Sequence, residues 1–138
     1  MDRGNSGRPE TLAGFMICLD TNYLIRGMEP GSEEAARMTA WYQAGEPLIT
    51  AMPAWFEFIC GPLTEQQEAT IRAFLTEIVP FDEKQARESA RLFNKAGRKR
   101  NLRVDAMIAG TAMAANARLA TNNRADFRPF VAHGLKLA

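Results

Sequence analysis

Apolar and polar positions divide this chain into short unbroken apolar runs and longer amphipathic ones. Phe15-Met16-Ile17-Cys18-Leu19 runs without interruption into Asp20-Thr21-Asn22. A run this short, closed by an acid, predicts a strand buried on both faces. Pro47-Leu48-Ile49-Thr50-Ala51, Glu77-Ile78-Val79-Pro80-Phe81 and Ala117-Arg118-Leu119-Ala120-Thr121 predict further strands, and Leu135-Lys136-Leu137 a terminal one. Helical segments lie between them. A short one follows Asp20 through Tyr23-Leu24-Ile25 and is interrupted by Gly27 and Pro30-Gly31. Ser32 caps the next, with Glu33 and Glu34 in its first turn, and Gly45 stops it. Pro53 opens a third, closed by Gly61-Pro62. Thr64-Glu65-Gln66-Gln67 and Asp82-Glu83-Lys84-Gln85 are capping boxes that open two more. From Val104, small and apolar residues recur at 104, 107, 108, 111, 112 and 115, the stripe of a helix.

Strands alternating with helices predict an α/β fold with a mostly parallel central sheet. Ligands of such sheets collect outside the carboxyl ends of the strands. Asp20 therefore marks the place for chemistry, although an N-cap is a sufficient role for it locally.

A length of 138 residues fits one domain, taken as residues 15–138, with residues 1–14 read as a flexible extension. The formal net charge of +1 gives no global attraction to nucleic acid, so any such binding needs a local patch. Arg98-Lys99-Arg100, with Arg103 just beyond, is the candidate; a solvated helix end is the alternative. Cys18 and Cys60 sit in apolar segments without metal-ligand spacing and read as buried free thiols, so the expected compartment is the reducing cytoplasm. No apolar stretch is long enough to span a bilayer, and no membrane role is expected. A single histidine, His133, excludes a histidine acid–base pair and a zinc site of His/Cys type. No Gly-rich phosphate loop and no Ser-His-Asp order is present.

Four acids resist the ordinary explanations when taken together. Asp20 ends a buried strand, and Asp126 follows the last core strand. Glu57 lies in Trp55-Phe56-Glu57-Phe58-Ile59, where its neighbours one turn away are Pro53, Ala54, Cys60 and Gly61, none of them basic. Asp105 opens the stripe helix, where the helix dipole alone would account for it. Carboxylates gathered in one pocket repel, and proteins keep such clusters mainly for hard cations such as Mg²⁺ or Mn²⁺.

The ordered set Ile17-Cys18-Leu19-Asp20-Thr21-Asn22-Tyr23-Leu24, Glu57, Asp105-Ala106-Met107-Ile108-Ala109-Gly110 and Thr121-Asn122-Asn123-Arg124-Ala125-Asp126-Phe127 resembles the PIN-domain nucleases, most closely the VapC-type toxins of toxin–antitoxin pairs. The likeness spans about residues 15–131. It implies a three-layer α/β/α sandwich, a Mg²⁺- or Mn²⁺-dependent endoribonuclease acting on an RNA substrate, a cognate antitoxin and a homodimer. By motif position, Asp20, Glu57 and Asp105 match the main metal-site acids and catalytic residues, with Asp126 as the fourth. Thr21, Asn22 and Thr121 match residues lining or supporting the site. Many relatives carry an acid where this chain has Asn123. A catalytically silent PIN-fold binding module, or a nuclease or phosphatase with another substrate, would use the same residues.

Overall fold

The computed structural model describes residues 15–138, so the extension assigned to residues 1–14 lies outside the described residues. The first strand, β1 (Met16–Leu19), is central, as an apolar run with no polar face requires. It pairs in parallel with β2 (Leu48–Ala51) on one side and β4 (Ala117–Ala120) on the other, and β3 (Glu77–Val79) adds outside β2. All pairings in this four-stranded sheet of order β3-β2-β1-β4 are parallel. Leu19 stands in register with Thr50 and with Ala120, so the residues just after β1, β2 and β4 emerge at one end of the sheet.

Both faces are covered. Ile17, Leu19 and Leu48 pack with residues of α1 (Thr21–Arg26), α2 (Glu33–Gln43), α3 (Met52–Ile59) and α4 (Glu65–Phe74). Cys18, Ile49 and Leu119 pack with α5 (Glu83–Lys95), α6 (Arg103–Ala114) and α7 (Arg124–Val131). The result is the expected α/β/α sandwich. Ser32 caps α2, and Thr64 with Gln67 forms the capping box of α4, as their sequences predict.

Three expectations need correction. Leu135-Lys136-Leu137 forms no strand: the chain turns out of α7 at Gly134, with φ of +113°, and touches the sheet only in a single bridge from Leu137 to Leu119. The stripe on α6 is shifted. Its buried residues are Ala106, Ile108, Ala109, Gly110, Thr111 and Ala112, while Val104 is 42% exposed. This helix is wedged between the sheet and α5, so more than one stripe is covered. A Cβ at Gly110 would fall 2.6 Å from Ser89 Cα, which shows how closely α5 and α6 approach. Cys60, finally, is exposed, because the helix carrying it has already ended at Ile59.

Candidate active site

Asp20 leaves β1 and becomes the N-cap of α1, accepting the Thr21 backbone N–H at 2.8 Å on Oδ1. Its other oxygen accepts the Thr121 hydroxyl at 2.7 Å, across from the end of β4. Thr121 Oγ1 accepts in turn from the Asn123 backbone N–H at 2.9 Å. The cap is thus real but incomplete as an account. The side chain is 4% exposed and also anchors the loop after β4.

Helix α3 buries Ala54, Trp55 and Phe58, leaving Glu57 on its open side, where Glu57 Oε1 accepts the Thr21 hydroxyl at 2.7 Å. Asp105 stands half-buried in the first turn of α6. Asp20, Thr21, Asn22, Glu57, Asp105 and Asn123 together line one pocket of about 310 Å³. It lies at the carboxyl end of the sheet, where the strand register delivers Asp20 and Thr121.

The electrostatics follow from this crowding. Burial pushes the Asp105 carboxyl up to about 6, with the charges of Asp20, Asp126 and Glu57 adding in the same direction. Burial also raises Asp20; the hydrogen bonds from Thr121 and Thr21 oppose it, and Glu57 and Asp126 add to it. Behind the site, burial and the Asp20 charge push the Cys18 thiol up to about 12, which makes it unreactive.

Asp126 is exposed in the first turn of α7 and does not line the pocket, although both Asp20 and Asp105 feel its charge. Asn123 takes the lining position instead. The donor set of carboxylate, hydroxyl and amide oxygens suits a hard divalent cation, and the mutual repulsion of the acids is the strain such an ion would relieve. As the side chains stand, no group of three or more His, Cys, Asp or Glu among the described residues is arranged to grip a metal ion. Glu57 is turned to the Thr21 hydroxyl instead.

The basic cluster occupies the connection from α5 to α6. Arg98, Lys99, Arg100 and Arg103 are all exposed. Arg98 donates to the Asn94 side-chain oxygen and stacks over Phe93, with its guanidinium 6.0 Å from the ring centre. Arg103 lies two positions before Asp105, so the helix turns it away from the acid and toward Phe81 and Phe93.

Sequence reasoning singled out every residue that lines the pocket. It missed Glu34, a buried acid of α2 that accepts from Asn122 Nδ2 at 2.6 Å and lies 3.4 Å from Arg26 Nε. These contacts tie the loop carrying Asn123 to the far end of α1. Nothing local distinguishes Glu34 from Glu33 beside it, since both are first-turn acids.

The model of the PIN domain family matches residues 17–129. No curated protein matches the chain. Among solved structures, the toxin–antitoxin complex from Klebsiella pneumoniae is similar at 27% identity and a TM-score of 0.64, covering 81% of this chain and 90% of that one. FitAcB from Neisseria gonorrhoeae is similar at 25% identity and a TM-score of 0.66, covering 88% and 96%. VapBC2 from Rickettsia felis, bound to a DNA fragment from its promoter, shares the fold at 21% identity and a TM-score of 0.70, covering 90% and 98%. Matched over most of its length, the chain belongs to the PIN domain family.

Proposed function

We propose that this protein is a Mg²⁺- or Mn²⁺-dependent endoribonuclease and the toxin of a toxin–antitoxin pair. One observation carries the reading: Asp20, Glu57 and Asp105 arrive from three separate elements and line a single polar pocket at the carboxyl end of the parallel sheet. An isolated cap or surface acid would not account for that convergence.

Asp20, Glu57 and Asp105 would hold the ion, with Asp126 near enough to add its charge. When bound, the ion neutralises charge on the phosphodiester and lowers the pKa of water. The chain's own residues do the positioning. Thr121 and the Thr21 backbone fix both oxygens of Asp20, so its carboxylate cannot rotate freely. Thr21 holds Glu57 across the mouth of the pocket. Asn22 and Asn123 supply neutral polar groups beside the acids, suited to a phosphate oxygen or a ribose hydroxyl. Asp105 keeps its proton to a higher pH than a free aspartate and surrenders it when a cation enters. Arg98, Lys99, Arg100 and Arg103 contact RNA phosphates in a sequence-independent way.

A partner surface adjoins this site. Phe56 is 62% exposed, and with Met52, Val104, Met107, Phe81, Pro53 and Glu57 it lines an apolar cavity of about 340 Å³. A surface of this kind suits a second copy of the chain or the antitoxin. The resemblance to the toxin–antitoxin complex from Klebsiella pneumoniae supports an antitoxin partner. Free Cys18 and Cys60 suit the reducing cytoplasm, and no helix among the described residues is long and apolar enough to cross a membrane.

The test is cleavage of RNA by the pure protein. Activity is expected with Mg²⁺ or Mn²⁺ and is expected to vanish in EDTA. Undiminished cleavage in chelator, or cleavage of DNA or phosphomonoesters in preference to RNA, would overturn this assignment.

A further inference from the structure

At the opposite end of the sheet, on the α2 side, lies a second cavity of about 290 Å³. Phe15, Arg37, Trp41, Glu46 and Arg118 are among its lining residues. Ile17, which lines it, is three residues from Asp20 along β1, about 10 Å at roughly 3.3 Å per residue. Glu46 is 8% exposed, and its buried Oε2 has no hydrogen-bond partner among the described residues. Arg118 lies in β4, in register with Ile17, and its buried Nε likewise has no partner among the described residues. No ion pair joins the two. A buried acceptor and a buried donor left open beside one cavity are costly to folding, and a ligand satisfying both would recover that cost.

We propose that this cavity binds a guanine base. The ligand has to present N–H donors to a carboxylate and acceptors to a guanidinium, from one small flat body. Guanine does so: N1–H and N2–H₂ lie on one edge, for Glu46, and O6 and N7 on another, for Arg118. Adenine places the bare acceptor N1 beside its amino group, and uracil flanks its single N–H with two carbonyls that a carboxylate repels. The walls suit a stacked base as well. The Arg118 guanidinium lies 3.7 Å from the Phe15 ring centre, and that of Arg37 lies 4.8 Å from the Trp41 ring centre. Unstacked RNA bases are held on such aromatic and guanidinium planes. Both unpartnered atoms are closed to water as the side chains stand, so Glu46 and Arg118 swing toward the base as it enters.

A short cationic route joins this cavity to the acids. Asn123 lines the active-site pocket, and Arg124 beside it donates to the Ala138 carbonyl at 3.2 Å. Ala138 in turn lines the second cavity. A guanine a few nucleotides from the cleaved bond, or a free guanine nucleotide, presents the same chemistry here.

The experiment is calorimetric titration of the full chain with GMP, IMP and AMP in EDTA, which does not depend on cleavage. GMP is expected to bind, AMP about tenfold or more weaker, and IMP, which lacks the 2-amino group, in between. Glu46→Gln should remove the preference for GMP over AMP without lowering the melting temperature, and leave the cleavage of a guanine-free oligoribonucleotide unchanged. Arg118→Lys, which loses the planar fork, should weaken GMP binding about as much and serves if Glu46→Gln misfolds. Displacement of a guanine-containing oligoribonucleotide by GMP identifies the RNA strand as the source. GMP binding without displacement identifies the free nucleotide. Equal affinity for GMP and AMP, or no binding of either, overturns the proposal. The latter is the outcome if Glu46 and Arg118 simply rotate to pair with each other.

Discussion

Asp105→Asn offers a test in which a loss of activity should accompany a gain in stability. The native state holds the Asp105 proton up to about 6, against an ordinary value near 3.8. A native carboxyl that binds its proton more tightly than the unfolded chain costs stability as pH rises through that window, and the cost levels off above it. A shift of roughly two pH units corresponds to about 3 kcal/mol. The side chain is only half-buried, so solvent screening reduces this to about 1.5 kcal/mol. Its place in the first turn of α6 returns some tenths of a kcal/mol through the helix dipole, which the substitution forfeits. The net expectation is a metal-free variant more stable than wild type by about 1 kcal/mol at about pH 7.5, equivalent to a melting temperature about 4 °C higher. At about pH 3 the wild-type group is mostly protonated in both states, and the difference should vanish. Urea or thermal unfolding in EDTA at both pH values measures it, and added Mn²⁺ should stabilise wild type more than the variant. If the variant is less stable at the higher pH, or if the difference is the same at both, burial and the neighbouring acids do not hold the Asp105 proton as the geometry requires.

Asp20→Asn should abolish cleavage but lack this gain. An amide cannot accept from both the Thr21 N–H and the Thr121 hydroxyl, so the lost bond offsets the relieved burial, and stability in EDTA stays within about 1 kcal/mol of wild type; a variant that cleaves RNA would end the assignment of Asp20 to the site. Phe56→Ser removes an exposed ring, so it should leave monomer stability nearly unchanged while weakening self-association or antitoxin binding in light scattering, and unaltered assembly with both would free this surface of a partner role. Exposed Cys60 should react with a thiol reagent in the native protein, and buried Cys18 only on unfolding; one label under native conditions and two in denaturant is the expected mass-spectrometric result, and two under native conditions would contradict the burial of β1.

The parts of the site legible in the sequence are those whose local pattern was already anomalous. An unbroken apolar run ending in an acid marks the carboxyl end of a buried strand, which placed Asp20 there, although an N-cap accounted for it locally until the other acids were set beside it. Glu57 stood out because no base lies one turn away from it. Asp105 did not stand out singly, since a first-turn acid is ordinary; only the sheet register and the wedging of α6 set it against Asp20. The same limit hid Glu34 and Glu46. Each looks like a surface acid, yet Glu34 meets Asn122 across 88 residues of chain, and Glu46 is buried beside β1 through the backbone bond from Ile17 to Pro47. Burial of a polar side chain depends on what distant segments bring to it, and local periodicity carries no trace of that. The phase of α6 fails for a related reason. A helix covered on two sides has no single stripe, and small residues such as Ala109 and Gly110 give a weak apolar signal while marking the closest packing.

The fourth acid illustrates where motif spacing and geometry part. The resemblance to PIN-domain nucleases leaves the fourth position to Asn123 or Asp126, whereas the fold sets the two in different places. Asn123 lines the pocket and donates its backbone N–H into the Thr121–Asp20 chain, so an acid there would add charge directly behind an already crowded carboxylate. Asp126 remains outside, in the first turn of α7, close enough to raise both Asp20 and Asp105 but exposed to solvent. A charge at that distance favours a cation in the pocket without the desolvation cost of a fourth buried ligand. Under the proposed function, the neutral Asn123 leaves three acids to hold the ion, with the field of the fourth drawing it in.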